Sequence, residues 1–339
     1  MEQAERGAHT TDGAEDDTLA TRGESAALSR IIPRLTPSGV ALVGPGDDAA
    51  VLAAADGRYV VTTDLMVHGP DFRLAWSTPY ELGWKAAATN LTDVAAMGAR
   101  PTALVVAIAA PPHTGVGVLE GIADGLREAL AELAPGAGVV GGDLSVSSVL
   151  TIAVTAFGDL EGRPPVLRSG ARPGDVIAHA GARGDAARGL AVLFEHATDA
   201  SGEPDATATA RVRAEHPDLV AAQLAPVPPV SAGVVAAIAG ATAMLDVSDG
   251  LARDALRIAR ASGVDLDFAS ERLGPDPRIA LAGAEDHGLL ATFPDGAAIP
   301  APFEPVGRVL AGDGVVRIDG EVAGAGGWDP YAGWDGRAG

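Results

Sequence analysis

The sequence has no cysteine and only one lysine, and each shortage excludes a class of chemistry. Without cysteine there are no disulfides, no thiolate zinc sites and no thiol nucleophiles. The single lysine is Lys85, and no G-x-x-x-x-G-K-[ST] motif occurs, which excludes a P-loop nucleotide site. Any phosphate bound here must therefore be held by metal ions, arginines and backbone N–H groups.

Basic residues and long apolar runs are also scarce. The chain has 24 Lys and Arg against 45 Asp and Glu, a formal net charge of -21. This balance argues against a general nucleic-acid surface and against binding to anionic lipid. No apolar run approaches the roughly 20 residues of a membrane span, and the N-terminus has no apolar signal core. We therefore expect a soluble cytoplasmic protein with neither nucleic acid nor membrane as a partner.

Length and composition predict two well-packed domains. The chain has 339 residues, of which 47% are hydrophobic. Residues 1–24 are acidic with little apolar periodicity, which predicts a disordered leader. A turn-rich stretch then separates an N-terminal domain (25–160) from a C-terminal domain (161–339). Both halves mix strands and helices, which indicates α+β or α/β folds with a ligand between them.

The main functional signal is a set of aspartates, most of which stand where an apolar element ends. They are Asp47, Asp48, Asp64, Asp93, Asp143, Asp246 and Asp249. Carboxylates at the ends of buried elements need a partner, and oxygen ligands suit Mg²⁺. Shared divalent cations would neutralise them and let this acidic protein hold a polyphosphate. The pattern predicts a metal-dependent, phosphate-handling enzyme.

Taken singly, several of these motifs have a structural explanation. Gly44–Asp48 and Gly141–Asp143 can be simple turns, Thr62–Asp64 can be a turn or cap, and Arg168 can be a solvated charge. Asp93 is harder to explain, because aspartate in mid-helix is unfavourable and gains nothing from capping.

The segment Asp246-x-Ser248-Asp249-Gly250 lies at a predicted strand-to-helix junction. A serine or aspartate there can cap the helix, whose first N–H groups would face an anion. One cap accounts for one of the three polar residues and not for all of them. Together with the other aspartates, this segment supports a site for cations and phosphate.

The sequence resembles the thiamine-monophosphate kinases, within the superfamily of aminoimidazole ribonucleotide synthetase and selenophosphate synthetase. The matching segments are GPGDDAAVL, TTDLMV, ELGWKAAATNLTDVAAMGARP, GGDLS, RSGARPGD, GDAARGLAVL, LDVSDGLARDALRIARASGV, GAEDHGLLATF and GWDPYAGWDG. They run in order from Gly44 to Asp335, and NLTDVAAMGARP with the later D-x-SDGL is the most specific. The resemblance implies a two-domain fold of the aminoimidazole ribonucleotide synthetase type, with an N-terminal mixed sheet and helices and a C-terminal α/β domain. It also implies a homodimer paired through the N-terminal domains.

The implied reaction is transfer of the ATP γ-phosphoryl group to thiamine monophosphate, giving thiamine diphosphate. The family implies that several Mg²⁺ ions are held by Asp48, Thr62, Thr63, Asp64, Asp93, Asp143, Asp246 and Asp249. It implies that ATP contacts Gly142, Asp143, Arg168 and Ser248. It implies that the vitamin contacts Asp71, Glu285 and Trp334, with Trp334 stacked on its ring. No covalent nucleophile is expected, because phosphoryl transfer depends on positioning and charge neutralisation.

Three segments depart from the family pattern. The usual G-G-E-D-Y-E-L is GAEDHGL at Gly283–Leu289, the usual terminal D-H-F is Asp335-Gly336-Arg337, and Ala225–Val230 has no arginine. All three lie toward the acceptor side or the outer parts of the domain. We therefore expect them to affect affinity for the acceptor more than binding of ATP and metal.

Two alternatives stand beside the kinase. Another ATP-dependent synthetase of the superfamily is the first, although the lack of cysteine argues against selenophosphate synthetase. D-x-SDGL together with TTDLMV argues against aminoimidazole ribonucleotide synthesis. A non-catalytic nucleotide-binding paralogue, motivated by the three departures, is the second.

Overall fold

Two sheets and their helices make up the chain in this computed structural model, which describes residues 17–45, 50–324 and 326–328. The elements are α1 (Leu19–Arg22), α2 (Glu24–Ile31), β1 (Ala41–Val43), β2 (Val51–Leu52), β3 (Val60–Val67), α3 (Pro79–Ala96), β4 (Arg100–Ala110), α4 (Val116–Leu133), β5 (Gly138–Val146), β6 (Thr151–Asp159), β7 (Val176–Ala180), α5 (Asp185–His196), α6 (Ala206–Glu215), α7 (Pro217–Leu224), α8 (Val230–Ile238), β8 (Ala243–Val247), α9 (Leu251–Ser262), β9 (Val264–Phe268), α10 (Pro277–Ala282), β10 (Gly288–Phe293), β11 (Glu304–Ala311), β12 (Val316–Ile318) and β13 (Glu321–Val322). Short 3-10 turns cover Ile32–Arg34 and Ser270–Arg272.

The N-terminal sheet has four strands in the order β3-β6-β4-β5, and α3 and α4 cover one of its faces. The pair β4–β5 is parallel and the other pairs are antiparallel. Along β6 the side chains of Ile152, Val154 and Ala156 are buried under the helices, while those between them stay partly open. The two helices approach closely because Gly125 has no side chain: a Cβ there would lie 1.9 Å from the carbonyl oxygen of Tyr80.

The C-terminal sheet has seven strands in the order β13-β12-β9-β11-β7-β10-β8. Only β12–β9 is parallel, so the sheet is mixed and mainly antiparallel. Helix α9 packs its buried side, which includes Leu251, Ala255 and Ile258, against this sheet. The expected combination of an N-terminal mixed sheet with a C-terminal α/β unit is confirmed.

Helix α3 lies between the two sheets and packs on both units. It contacts β3, β4, β6 and α4 of the first, and α8, β8 and β10 of the second. A single apolar cluster joins α3 to residues such as Val230, Met244 and Leu289. Polar residues on α3 are therefore brought next to the ends of C-terminal strands. The domain limits at residues 160 and 161 stay a prediction.

Regular structure extends further toward the N-terminus than expected. Residues 17–24, which we assigned to a disordered leader, include α1 and the start of α2. Thr18 caps α1, and the backbone N–H groups of Leu19 and Ala20 donate to the carbonyls of Thr114 and Pro112 at 3.0 and 2.8 Å. The expectation was wrong for this part because these tertiary hydrogen bonds fix a segment with little apolar pattern. Across the described ranges, no helix has the length and apolar character to cross a membrane.

Candidate active site

A cleft between the two sheets is lined by carboxylates from three elements: Asp64 of β3, Asp93 of α3 and Asp246 of β8. We call these residues the carboxylate cleft. Burial, Asp246 and Asp64 raise the pKa of Asp93 to about 7. Partial burial in the cleft and Asp246 also raise the pKa of Asp64, although this residue is exposed overall. Asp246 therefore disfavours ionisation of both Asp64 and Asp93, and the three carboxylates share one environment.

The alternation of β3 decides which of its polar residues face the cleft. The Thr62 hydroxyl donates to Asp93 at 2.9 Å, so Thr62 faces α3, and Asp64 two positions later lies on the same face. Thr63 lies on the opposite face, where its hydroxyl donates to the carbonyl of Val154 at 3.0 Å. The three consecutive residues therefore do not present their oxygens to one point. They also lie inside β3 rather than at its end.

A cavity of about 450 Å³ opens beside the cleft. Its walls include Thr62, Asp93, Arg168 and Asp246. Arg168 is exposed on the segment after the N-terminal sheet, so its guanidinium can turn toward a ligand in the cavity. The predicted ATP residue Arg168 and three predicted metal ligands thus meet in a single space.

The turn after β8 is organised by a residue that sequence reasoning left unassigned. The carboxylate of Asp254 accepts hydrogen bonds from the N–H groups of Ser248, Asp249 and Gly250 at 3.0, 2.9 and 3.2 Å. Gly250 is the N-cap of α9 and makes no side-chain cap, so neither Ser248 nor Asp249 caps this helix. Asp249 pairs instead with Arg257. Asp254 thus takes up N–H groups of the turn before α9, which are not the first N–H groups of the helix that we expected to face an anion.

The loop Ala284–His287 runs beside this turn and is held at three points. The N–H groups of Glu285 and His287 donate to the carbonyls of Ser248 and Val247 at 2.9 and 3.0 Å. The buried carboxylate of Asp286 accepts from the N–H groups of Gly184 and Ala186 at the start of α5. These bonds fix the loop so that His287 lies on the side of the carboxylate cleft.

A second cavity, of about 360 Å³, lies on the other side of this loop. We call it the Lys85 pocket, and its walls include Asp71, Arg73, Trp76, Lys85, Phe194, Glu285 and Trp328. The Lys85 ammonium is buried, pairs with Glu285 and donates to the carbonyl of Gln223 at 3.2 Å. The Arg73 guanidinium lies 4.8 Å from the ring centres of both Trp76 and Phe194. The pocket thus combines flat apolar walls with charged groups at one end.

The charges of the Lys85 pocket are balanced within the protein. Burial alone would raise the pKa of Glu285, but the Lys85 ammonium and the His287 imidazole outweigh it, and the pKa is lowered. Burial raises the pKa of Asp71, against a hydrogen bond of 2.7 Å that its carboxylate accepts from the Val67 N–H. Sequence reasoning used Lys85 only to exclude a P-loop. Lys85 is the single lysine in a chain whose other strongly basic residues are arginines, and it stands in a helical segment rich in apolar residues. These two features could have identified it.

Gly142 and Asp143 lie away from the carboxylate cleft. They are in β5, at the opposite edge of the four-stranded sheet from β3, which corresponds to about 14 Å across three strand spacings. Asp143 is exposed and lines a different, largely apolar cavity of about 520 Å³. This chain alone therefore brings together Thr62, Asp64, Asp93, Arg168 and Asp246, and leaves Gly142 and Asp143 apart.

The donor set of the carboxylate cleft suits hard divalent cations, because it consists of close carboxylate and hydroxyl oxygens whose mutual repulsion a cation would relieve. Within the ranges that the structure describes, no group of three or more His, Asp or Glu side chains is already arranged to hold an ion. Further ligands would have to come from a bound reactant, from water or from other parts of the chain. The predicted ligand Asp48 and the predicted stacking residue Trp334 lie outside the described residues.

Known proteins share both the fold and the sequence. The family described as AIR synthase related protein, N-terminal domain, matches residues 46–160. The thiamine-monophosphate kinase of Mycobacterium tuberculosis H37Rv is 42% identical over 335 residues, which cover 94% of this chain and 93% of the relative. The crystal structure of thiamine-monophosphate kinase from Stenotrophomonas maltophilia is 31% identical, with a TM-score of 0.72, and the match covers 88% of this chain and 97% of that one. AaThiL complexed with AMPPCP and TMP is also 31% identical, with a TM-score of 0.69 over 83% and 90% of the two chains.

The fold is that of the AIR synthase related proteins. Within that class, identity over nearly the whole chain is decisive. The chain belongs to the thiamine-monophosphate kinase family.

Proposed function

We propose that the protein transfers the γ-phosphoryl group of ATP to thiamine monophosphate, giving thiamine diphosphate and ADP. One observation carries this proposal: the carboxylate cleft lies between a cavity with an exposed arginine and a pocket with flat apolar walls. A nucleoside triphosphate would fit the cavity beside Arg168, and an acceptor with two aromatic rings would fit the Lys85 pocket. The family relationship supports the same reaction.

The acceptor is proposed to occupy the Lys85 pocket. Its rings would pack against Trp76, Phe194 and Trp328, and its cationic thiazolium would lie near the carboxylates of Asp71 and Glu285. The contact of Trp334 with the vitamin stays a prediction. Because the Ala284–His287 loop separates this pocket from the cleft, the acceptor phosphate would extend past Glu285 toward Asp246.

The phosphates of ATP are proposed to lie in the cavity beside Thr62 and Arg168, where the guanidinium can pair with a phosphate oxygen. Asp64, Asp93 and Asp246 would hold Mg²⁺, with Asp48, Asp249 and the two threonines of β3 as further predicted ligands. When bound, these ions neutralise the repulsion between two anionic reactants. The protein's own contribution is to orient the acceptor phosphate in line with the γ-phosphate. The acceptor is already an oxyanion, so no side chain is needed as a base.

Contacts of ATP with Gly142, Asp143 and Ser248 are also proposed. Gly142 and Asp143 adjoin an apolar cavity that includes Leu28, Ile108 and Leu144. A nucleotide that spanned from this cavity to the cleft would have to cross the sheet edge, and Asp143 would then act on a cation distant from Asp93.

The need for ATP also supports a cytoplasmic location.

We further propose a homodimer paired through the open face of the N-terminal sheet. Val61 and Leu65 of β3 are 60% and 58% exposed on the face that carries no helix. An exposed apolar sheet face is a common protein interface. We expect Leu65→Glu to convert the dimer to a monomer by sedimentation analysis, while Val322→Glu on β13 leaves the mass unchanged. An unchanged mass for Leu65→Glu would place the interface elsewhere.

A direct assay tests the reaction. Purified protein is incubated with ATP, Mg²⁺ and thiamine monophosphate, and thiamine diphosphate and ADP are quantified. Equal amounts of both products are expected. Binding of Mg²⁺ and ATP without formation of the diphosphate would favour a nucleotide-binding protein without this activity.

A further inference from the structure

His287 is a buried imidazole aimed at the carboxylate cleft. It is 3% exposed, and neither ring nitrogen has a hydrogen-bond partner among the residues that the structure describes. Its Nδ1 lies 4.0 Å from the nearer carboxylate oxygen of Asp246. Leaving a buried polar group without a partner costs about 1–3 kcal/mol. A ligand that satisfies this ring is therefore expected.

The backbone imposes this position on the ring. His287 has φ 52, in the left-handed region that costs a non-glycine residue about 1–2 kcal/mol. The loop is nevertheless fixed there by the bond from the His287 N–H to Val247 and by the anchoring of Asp286 at α5. Strained backbone that is held on both sides is typical of functional sites.

The separation of 4.0 Å has a chemical meaning. It is too long for a hydrogen bond, but it lies within the span of two metal–ligand bonds of about 2.0–2.2 Å each. Asp64 lies in the same cleft, where Asp246 and His287 both affect its pKa. A nitrogen and a carboxylate oxygen would then face one cation, and a nucleotide phosphate and water can complete the shell.

We propose that His287 is a nitrogen ligand to a divalent cation held by Asp246, and that it shifts this position toward first-row transition ions over Mg²⁺. The proposal rests on the cation site proposed above for Asp64, Asp93 and Asp246. Imidazole raises affinity for ions such as Co²⁺ along the Irving–Williams order, whereas Mg²⁺ selects oxygen.

The first test identifies the ligand without a variant. The full-length protein is labelled with ¹⁵N-histidine, loaded with Mn²⁺ and AMPPCP, and measured by electron spin-echo envelope modulation. Coupling of Mn²⁺ to a ¹⁵N nucleus is expected, and the label separates histidine from the nitrogens of adenine. Bound Mn²⁺ with no ¹⁵N coupling would overturn the proposal and leave the carboxylate site standing. If no Mn²⁺ binds, the proposed cation site fails as well.

The second test assigns the coupling to His287. Titration calorimetry with Co²⁺ and with Mg²⁺ compares the wild type, His287→Gln, His287→Tyr and the control His113→Gln, since His113 is exposed far from the cleft. In both His287 variants the Kd for Co²⁺ should rise about 10- to 100-fold, and the ¹⁵N coupling should vanish. The Kd for Mg²⁺ should change less than about threefold, in line with its preference for oxygen. Equal losses for the two ions, or coupling that survives in His287→Tyr, would overturn the assignment.

Discussion

In the Lys85 pocket the carboxylate of Glu285 is paired with an ammonium, whereas in the neighbouring carboxylate cleft Asp93 and Asp246 face each other. The consequence is opposite for these two half-buried acids: the pKa of Glu285 is lowered, and that of Asp93 is raised to about 7. The pocket supplies its own counter-charge and is ready for an organic ligand. The cleft leaves its charge to be neutralised by what it binds.

Asp93→Asn should have the largest effect, because the amide cannot replace an anionic ligand between the two units. We expect kcat to fall about 100- to 1,000-fold, the range typical for loss of one electrostatic stabiliser of a transition state. The thermal unfolding midpoint of the metal-free protein should stay the same or rise, since repulsion with Asp246 is removed. Asp313→Asn, at an exposed position on the C-terminal unit, is the control and should keep full activity. Full activity in Asp93→Asn would remove Asp93 from the site.

Lys85→Met should impair the Lys85 pocket and leave the carboxylate cleft intact. Loss of a charged hydrogen bond, worth about 1.5–3 kcal/mol, predicts a KM for thiamine monophosphate about 10- to 100-fold higher. The KM for ATP should change less than about threefold, because the nucleotide cavity does not include Lys85. Steady-state kinetics with each substrate varied in turn measures both.

A double variant separates the effect of Lys85 on acceptor binding from its effect on the free energy of unfolding. Lys85→Met leaves Glu285 without its partner, so the free energy of unfolding should fall. In Lys85→Met with Glu285→Gln much of that loss should be recovered while the KM defect remains. Parallel increases in both KM values would contradict a role confined to the acceptor.

Arg168→Met should weaken the use of ATP rather than of the acceptor, and by a smaller factor than Lys85→Met weakens the use of the acceptor. Arg168 is exposed, so its contact with a phosphate is partly screened, and we expect the KM for ATP to rise about tenfold. The KM for thiamine monophosphate should be unchanged. Arg172→Met, on the same segment but outside the cavity walls, is the matched control. A larger effect on the acceptor than on ATP would exchange the two proposed sites.

The pH dependence of stability should be the smallest effect. Because the folded pKa of Asp93 is about 7 and its ordinary value is 3.8, the folded state holds an extra proton between these values. The contribution of Asp93 to the free energy of unfolding is therefore fully present below pH 3.8 and is lost as pH rises toward 7. Between pH 5 and 8 we expect the metal-free wild type to lose about 1–3 kcal/mol more than Asp93→Asn, measured by urea unfolding. Identical pH profiles would show that Asp93 ionises without penalty.

Local sequence signals predicted the elements well where capping and packing agree. The sequence T-P-Y-E at Thr78–Glu81 is the pattern of a capping box, and these residues form one at the start of α3. The pattern was misleading at Gly141–Asp143, which the sequence allows as a simple turn. β5 continues to Val146 because it pairs with β4, with Asp143 opposite Ala107, and glycines within a strand resemble a turn in sequence.

The site itself was only partly predictable. Asp93 stood out because it interrupts a buried helix, and the cleft around it fits that interpretation. Partnerships across the chain were not readable from one sequence: Asp249 with Arg257, Asp254 with the turn N–H groups, and Lys85 with Glu285. Each depends on which side chains the fold brings together, and spacing along the chain carries no information about that.

Helix α3 carries both Lys85 and Asp93, and eight residues at 1.5 Å per residue separate their Cα atoms by about 12 Å. Because the helix packs on both units, it fixes the distance between the two proposed reactant sites. Hinge motion of either unit cannot alter this length. A vitamin analogue with a shortened side arm would sit in its pocket and yet present its phosphate out of reach.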